Sequence, residues 1–211
     1  MATGSLEFST LTIPHQIRLI VSQPLSKNEI VSSDEESLIL VDSDDRELGF
    51  LDKSACHNGA GVLHRAFSLF VFNERGELLI QQRAENKRLW PSFWSNSCCS
   101  HPRRGESIET AVGRRLEQEL GLNMRLRYLY KFEYSASFED QGTEHELCSV
   151  YCGLTSSEPV INTAEIASWR WIEGEVLTSQ LDTEPERFTP WFKMEWERIC
   201  GEFPVAIKPA K

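Results

Sequence analysis

The chain has 211 residues, enough for one compact domain with terminal elaborations and too few for two full ones. Hydrophobic residues make up 40% and charged residues 26%, the balance of a soluble fold with a core, and no apolar run approaches the roughly 20 residues of a membrane span. The 32 acidic and 22 basic residues leave a net charge of -10, which excludes broad nucleic-acid binding but leaves room for a local basic pocket.

Residues 1–35 are polar and weakly patterned, and read as an N-terminal extension to a domain over 36–211. MATGSLEFST has no basic stretch leading into an apolar one, and the first Lys or Arg is Arg18. Neither a secretory signal nor an Arg-rich transit peptide is expected, and the expected location is the cytoplasm. Pro14 and Pro24 suit a disordered arm, although residues 11–21 could add a strand or help close a pocket. Six cysteines, at 56, 98, 99, 148, 152 and 200, fit a reduced setting with free thiols better than a disulfide framework.

From Leu38 the pattern sharpens. LILVD and ELGFLD flank Asp44-Asp45 and predict two short strands. Residues 66–72 and 77–82 flank Asn73-Glu74-Arg75-Gly76 and predict a hairpin. Over 107–120, Ile108, Ala111, Val112, Leu116 and Leu120 share one helical face, with Ser107 to cap the start and Gly121 to end it. Strands are expected at 126–134, 146–152 and 167–172, and a helix over 189–200 opening on Thr189-Pro190. Strands with few helices between them predict a mixed sheet with helices on its faces.

Three clusters carry chemistry. His57 and His64 follow Lys53, and Ser97-Cys98-Cys99-Ser100-His101 puts a cysteine pair before a third histidine. The third is Glu144-His145-Glu146: in a strand, residues two apart share a face, so both carboxylates aim at one point and His145 turns away. Alone, each histidine reads as a surface or core residue and E-x-E as a solvated strand edge. Together, three imidazoles and two carboxylates form a five-ligand N/O set better suited to a six-coordinate divalent ion than to closed tetrahedral zinc. Adjacent Cys98 and Cys99 lack the C-x2-4-C spacing of structural zinc sites, and only one of them should face such a pocket.

Glu106, then seven residues, then Arg114-Arg115-Leu116-Glu117-Gln118-Glu119-Leu120-Gly121-Leu122 resembles the Nudix box, G-x5-E-x7-R-E-U-x-E-E-x-G-U. Ser100 replaces the leading glycine, and Arg115 and Gln118 replace two of the glutamates. An amphipathic surface helix with i,i+4 pairs accounts for the charges but not for this spacing. Box carboxylates gather magnesium for hydrolysis of a diphosphate, so their loss predicts a helix that holds a diphosphate intact. Lys53, Arg83, Lys87 and Arg115 lie near these motifs and suit phosphate oxygens.

LDKSACH with His64, RAENKRLWPSFWSNSCCSHP, the altered box and TEHEL together resemble the type I isopentenyl diphosphate isomerases over residues 36–195. The resemblance implies a Nudix-like α/β (α+β) fold, a mixed β-sheet sandwiched between helices. It implies interconversion of isopentenyl and dimethylallyl diphosphate, with Cys99 and Glu146 as the acid/base pair and Tyr134 assisting. By the same resemblance His57, His64, His101, Glu144 and Glu146 hold manganese or zinc. Glu119 with the Cys99 carbonyl places a magnesium on the diphosphate. Lys53, Arg83, Lys87 and Arg115 contact the diphosphate, and Trp191 lines the pocket for the hydrocarbon tail. The expected partner is the small diphosphate alone, with no nucleic acid or membrane, and a monomer is favoured. Two other functions are open from the residues: a Nudix hydrolase acting on a diphosphate compound, and a non-catalytic metal-binding or scaffold protein.

Overall fold

The structure, a computed structural model, describes residues 28–204; the strand option over residues 11–21 lies outside them. Its centre is β3 (His64–Asn73), buried along nearly its whole length. A strand reads as a continuous apolar run when both of its faces are covered. The run ends in a tight turn, where Asn73 Oδ1 accepts the backbone N–H groups of Arg75 and Glu77, each at 3.0 Å. Gly76 completes that turn at φ 79° and starts β4 (Leu78–Arg83).

Four strands meet β3. β1 (Ser37–Val41) forms a hairpin with β2 (Glu47–Asp52) and touches β3 at Leu40 and His64. The three-residue β6 (Cys98–Ser100) runs antiparallel to β3, setting Ser68 opposite Cys99. β8 (Gly142–Thr155) runs parallel to β3 over ten pairs, from His64 with Glu146 to Asn73 with Thr155. β7 (Leu126–Phe138) covers the far side of β8. The remaining contact is with β4, which carries β9 (Ile166–Ile172) and the two-residue β5 (Trp94–Ser95).

Helices cover both faces. α2 (Ile108–Leu120) packs against Phe67, Leu69, Val71 and Cys98. Ser107 caps α2 through the Thr110 N–H at 3.2 Å, and Gly121 ends it in the left-handed region. α4 (Pro190–Glu202) covers the other face, where Ala66, Phe70, Cys148, Val150, Trp191, Phe192, Trp196 and Ile199 form the larger core. The chain thus has the expected mixed sheet between helices.

The predicted strands and both predicted helices are present, with β7 and β8 extending beyond their expected ends. Four elements were not legible in the sequence: the single turn α1 (Lys53–Cys56), the short β5 and β6, and α3 (Gly174–Thr183). α3 buries only Leu177 and has no side-chain N-cap bond, so its apolar periodicity is faint. Among the described residues, no helix is long and apolar enough to cross a membrane.

The turn into β8 fixes the site's entrance. The Thr143 N–H donates to the His57 carbonyl at 3.0 Å, and a Cβ on Gly142 would stand 2.3 Å from that same oxygen. Gly142 also has φ 153°, which L side chains rarely adopt. Gly142→Ala is therefore expected to cost about 3 kcal/mol through overpacking and backbone strain, and to lower Tm by roughly 6–12 °C. Gly113→Ala, on α2 with open space around it, should leave Tm unchanged or raise it, because alanine is the better helix former. Thermal unfolding of the two variants checks the contrast.

Candidate metal centre and pocket

The register of the sheet assembles the first cluster. Tyr134 pairs with Glu146 across β7 and β8, and Glu146 pairs with His64 across β8 and β3. These three residues form one row. Glu144, two residues earlier on β8, faces the same way, while His145 points oppositely to Glu133. His57 follows α1 and His101 follows β6, which bring the other two imidazoles in from the strand ends.

All five side chains, His57, His64, His101, Glu144 and Glu146, are buried, and one ligand atom from each lies within 4.8 Å of the rest. His57 and His64 donate Nδ1–H to the carbonyls of Lys53 (2.6 Å) and Val62 (2.7 Å). Such bonds fix the tautomer and leave Nε2 free to face the centre. His57 Nε2 lies 2.6 Å from Glu144 Oε2, and His64 Nε2 lies 3.8 Å from Glu146 Oε1. Yet His64 Nε2 and Glu144 Oε2 have no aligned hydrogen-bond partner. Lone pairs converging on a shared point, buried and unsatisfied, fit a divalent cation. The five N/O donors favour expanded coordination over a closed tetrahedron.

The two carboxylates differ electrostatically. Burial raises both, but at Glu144 the imidazoles, His57 foremost, outweigh it and hold the carboxyl below its usual range. At Glu146 the charge of Glu144 adds to burial, and the carboxyl is pushed up to about 7. The Tyr134 hydroxyl donates to Glu146 Oε2 at 2.6 Å. Burial, with Glu146 next, raises the Tyr134 phenol, so it remains a donor.

The second cluster faces the same cavity, which measures about 430 Å³ and is lined by Lys53, Arg83, Lys87, Cys99, Arg115, Tyr134, Glu146 and Trp191 among others. Alternation along β6 separates the two cysteines: Cys98 packs under α2 and Cys99 faces the α4 side. The Cys99 thiol donates to Asn96 Oδ1 at 2.8 Å and lies 3.5 Å from Ser68 Oγ. Burial pushes that thiol above its usual range, and Glu195 adds to the shift. Trp191 is anchored by its N–H to Ser95 Oγ at 3.1 Å, and the Arg83 guanidinium sits 5.5 Å from its ring centre.

Cations line the cavity as well. Burial, then the charge of Lys87, lowers the Lys53 ammonium. Lys87 is paired with Glu165. Arg115 donates to Glu119 Oε1 at 2.8 Å, to Glu165 Oε2 at 3.3 Å and to the Val31 carbonyl at 2.7 Å. Ile30, Ser32, Ser33 and Asp34 also line the cavity, so the described end of the N-terminal extension roofs it. Glu119 stands behind Arg115, also accepts from Cys98 Sγ at 3.3 Å, and does not line the cavity. Glu106 lies apart too, holding Arg114 at 2.7 and 2.8 Å.

Four residues near these groups were not singled out from sequence: Ser68, Asn96, Glu165 and Glu195. Glu195 left a signal, since it shares the apolar stripe of α4 with Trp191, Phe192, Trp196 and Ile199. A carboxylate on such a stripe is either paired or neutral. Glu165 follows a loop, where no periodicity marks it.

Comparison with known proteins identifies the family. A NUDIX domain model matches residues 62–192. Isopentenyl-diphosphate Delta-isomerase 1 of Photorhabdus laumondii is 44% identical over 166 residues, covering 78% of this chain and 94% of that protein. Isopentenyl-diphosphate Delta-isomerase of Burkholderia multivorans is 45% identical over 164 residues, covering 78% and 93%. A crystal structure of a Deinococcus radiodurans protein superposes with a TM-score of 0.65 at 24% identity, covering 77% of this chain and 98% of that one, a likeness of fold alone.

Glu195, fully buried under the Cys99 side of the sheet, is pushed up to about 8, chiefly by burial. Above the ordinary carboxyl range, near pH 4.5, the unfolded chain ionises this group while the folded chain keeps its proton. This part of the stability is therefore present at low pH and is lost as pH rises through about 8. The loss approaches about 1.4 kcal/mol per pH unit at most. Urea titrations at pH 6 and pH 8 should show a larger drop for the wild type than for Glu195→Gln; equal drops would contradict the assignment.

Proposed function

The chain belongs to the isopentenyl-diphosphate Delta-isomerases of the Nudix superfamily, and from that membership we propose how its pocket moves a carbon–carbon double bond. The protein is an isomerase that interconverts isopentenyl and dimethylallyl diphosphate. One observation carries the residue assignment: Cys99 and Glu146 line one cavity together with Lys53, Arg83, Lys87 and Arg115.

The reaction adds a proton to the terminal alkene carbon and removes another from the methylene between the tertiary carbon and the carbon that bears the diphosphate oxygen. Between these events the charge rests on a tertiary carbon. Cys99 and Glu146 form the acid/base pair, one delivering and the other accepting, with the roles exchanged in the reverse direction. Tyr134 orients Glu146 by donating to Oε2 and leaves Oε1 beside His64 and His101.

The Trp191 indole supports the tertiary cation. Arg83 already occupies its neighbourhood, so the ring faces positive charge in the free chain. A desolvated cation–π contact is worth roughly 2 kcal/mol. At about 1.4 kcal/mol per tenfold this gives only a factor near 30, so placing the two protons carries most of the acceleration.

Lys53, Arg83, Lys87 and Arg115 bind the diphosphate, and binding energy at that end positions the reacting tail. Arg115 and Lys87 must turn from Glu165 towards phosphate oxygens, and turning Arg115 also frees Glu119. That carboxylate, with the Cys99 carbonyl, is assigned to a magnesium on the diphosphate. The five-donor centre is assigned to manganese or zinc. When bound, that ion supplies a fixed positive charge that orients Glu144 and Glu146 and favours the ionised carboxylate.

A Nudix hydrolase is the alternative within the superfamily, and the altered helix argues against it: Arg115 and Gln118 stand where two box carboxylates would. Incubation with isopentenyl diphosphate in heavy water separates the two, since isomerisation gives deuterated dimethylallyl diphosphate and hydrolysis gives phosphate. Cys99→Ala and Glu146→Gln should each abolish turnover while the diphosphate still binds; near-normal rates in either would sink the pair. Stripping the tightly held ion with a chelator should stop isomerisation, and readdition of manganese or zinc should restore it. Full activity in metal-free protein would refute the centre's role.

A further inference from the structure

Beneath Cys99 lies a polar group that the acid/base pair does not explain. Glu195 on α4 is fully buried, and its Oε2 has no hydrogen-bond partner. Its neighbours come from three strands. Cys148 on β8 donates to Glu195 Oε1 at 3.6 Å, and the Tyr130 hydroxyl on β7 donates to the Glu195 backbone carbonyl at 3.3 Å. On β3, the Ser68 hydroxyl lies beside the carboxyl, the two sharing the Cys148 sulfur. Among the described residues no cation pairs with the carboxyl, and an unpaired buried carboxylate is far costlier than a neutral acid.

Ser68 connects this carboxyl to the reacting sulfur. The β3–β6 register sets Ser68 opposite Cys99, with Oγ 3.5 Å from Sγ. The same Oγ lies 3.4 Å from Cys148 Sγ, whose single proton can go to it or to Glu195 Oε1. Asn96 is locked as an acceptor towards Cys99, because its Nδ2 donates to the carbonyls of Leu69 (3.2 Å) and Cys98 (3.1 Å). Asn96 Oδ1 can therefore take the thiol proton's hydrogen bond but offers nothing to a bare sulfur. Ser68 is the side chain beside Sγ that can donate to it.

The direction of the Ser68 hydroxyl then decides what the sulfur meets. A hydroxyl has one proton to give. An ionised Glu195 would claim it, whereas an acid at Glu195 donates to Ser68 Oγ and leaves the hydroxyl proton for Cys99. We propose that Glu195 is a positioning residue: as a neutral acid it turns the Ser68 hydroxyl towards Cys99 Sγ, so that the sulfur has a donor while its proton is away. The inference rests on Cys99 being one of the acid/base pair. Trp191 and Glu195 are four residues apart on α4, so one helical face then serves both the cationic carbon and the sulfur.

The test is steady-state isomerisation by the full chain loaded with metal. Glu195→Leu, which removes the acid at similar volume, should lower kcat about 10- to 100-fold, the worth of a hydrogen bond to a charged group, with KM within about twofold. Glu195→Gln, whose amide can still donate to Ser68, should keep kcat within about threefold, a rescue that loss of packing alone would not produce. Ser68→Ala should match the leucine variant, and the double variant should be no slower than either single within about twofold, because one route has been cut twice. Wild-type kcat in Glu195→Leu, or losses that multiply in the double variant, would overturn the proposal. Should the leucine variant not fold, Glu195→Asp takes its place: it keeps the acid but withdraws it from Ser68, and wild-type kcat there overturns the proposal equally. Cys99→Ala, run alongside, separates the two claims. If Cys99→Ala is active, the role of Cys99 fails; if it is dead while Glu195→Leu is unimpaired, only Glu195 is wrongly placed.

Discussion

The parallel pairing of β3 with β8 is the constraint on which the pocket depends. It sets His64 beside Glu146, and the β7–β8 ladder sets Tyr134 on the other side of the same carboxylate. Four residues further along β3, the β6 pairing sets Ser68 beside Cys99. Since the side-chain period of a strand is two, a slip of one residue in β8 would turn Glu144 and Glu146 outward and bring His145 in. The apolar rows on both faces forbid that slip: Phe67, Leu69 and Val71 belong to the α2 side, Ala66, Phe70 and Phe72 to the α4 side. Packing of the core and assembly of the site are thus one register choice.

The same geometry resolves how a protein of net charge -10 presents a site for an anion. The cavity is lined by carboxylates and imidazoles, where β7, β8 and β3 meet, and also by Lys53 on α1, Arg83 at the end of β4, Lys87 beyond it and Arg115 on α2. Glu165 bridges Lys87 and Arg115 in the free chain, so the cations are not left to repel one another while buried. Burial that lowers the Lys53 ammonium and raises Glu146 acts on both kinds of group alike, since each loses water. In the proposed binding mode, a diphosphate replaces the interaction Glu165 supplies.

Much of this was legible in sequence because it rests on short-range rules. Alternation in TEHEL placed Glu144 and Glu146 together and sent His145 away, and the capping residues Ser107 and Gly121 bounded α2. Alternation also required that only one of Cys98 and Cys99 face the pocket, but sequence pattern alone could not say which; the packing of Cys98 under α2 decides it. What could not be read depends on partners distant in sequence. Glu165 meets Arg115 across 50 positions, and Ser68 meets Cys99 across 31. Neither pair leaves a periodic trace, and α3, with one buried side chain, leaves hardly any.

The altered helix shows why the superfamily fold does not by itself carry hydrolytic chemistry. Two of the box spacings survive as structure: Glu106 grips Arg114 through two bonds, and Gly121 ends the helix. The positions that would gather metal against a phosphate have changed character. Arg115 is buried and takes Glu119 Oε1 for itself, while Gln118 accepts from Arg114 at 3.3 Å, outside the cavity. A guanidinium in place of a carboxylate draws phosphate oxygens in without bringing a metal-activated water to phosphorus. The donors that can gather a cation have instead been collected away from this helix, on β8, at the start of β3 and just after α1 and β6, where five side chains converge.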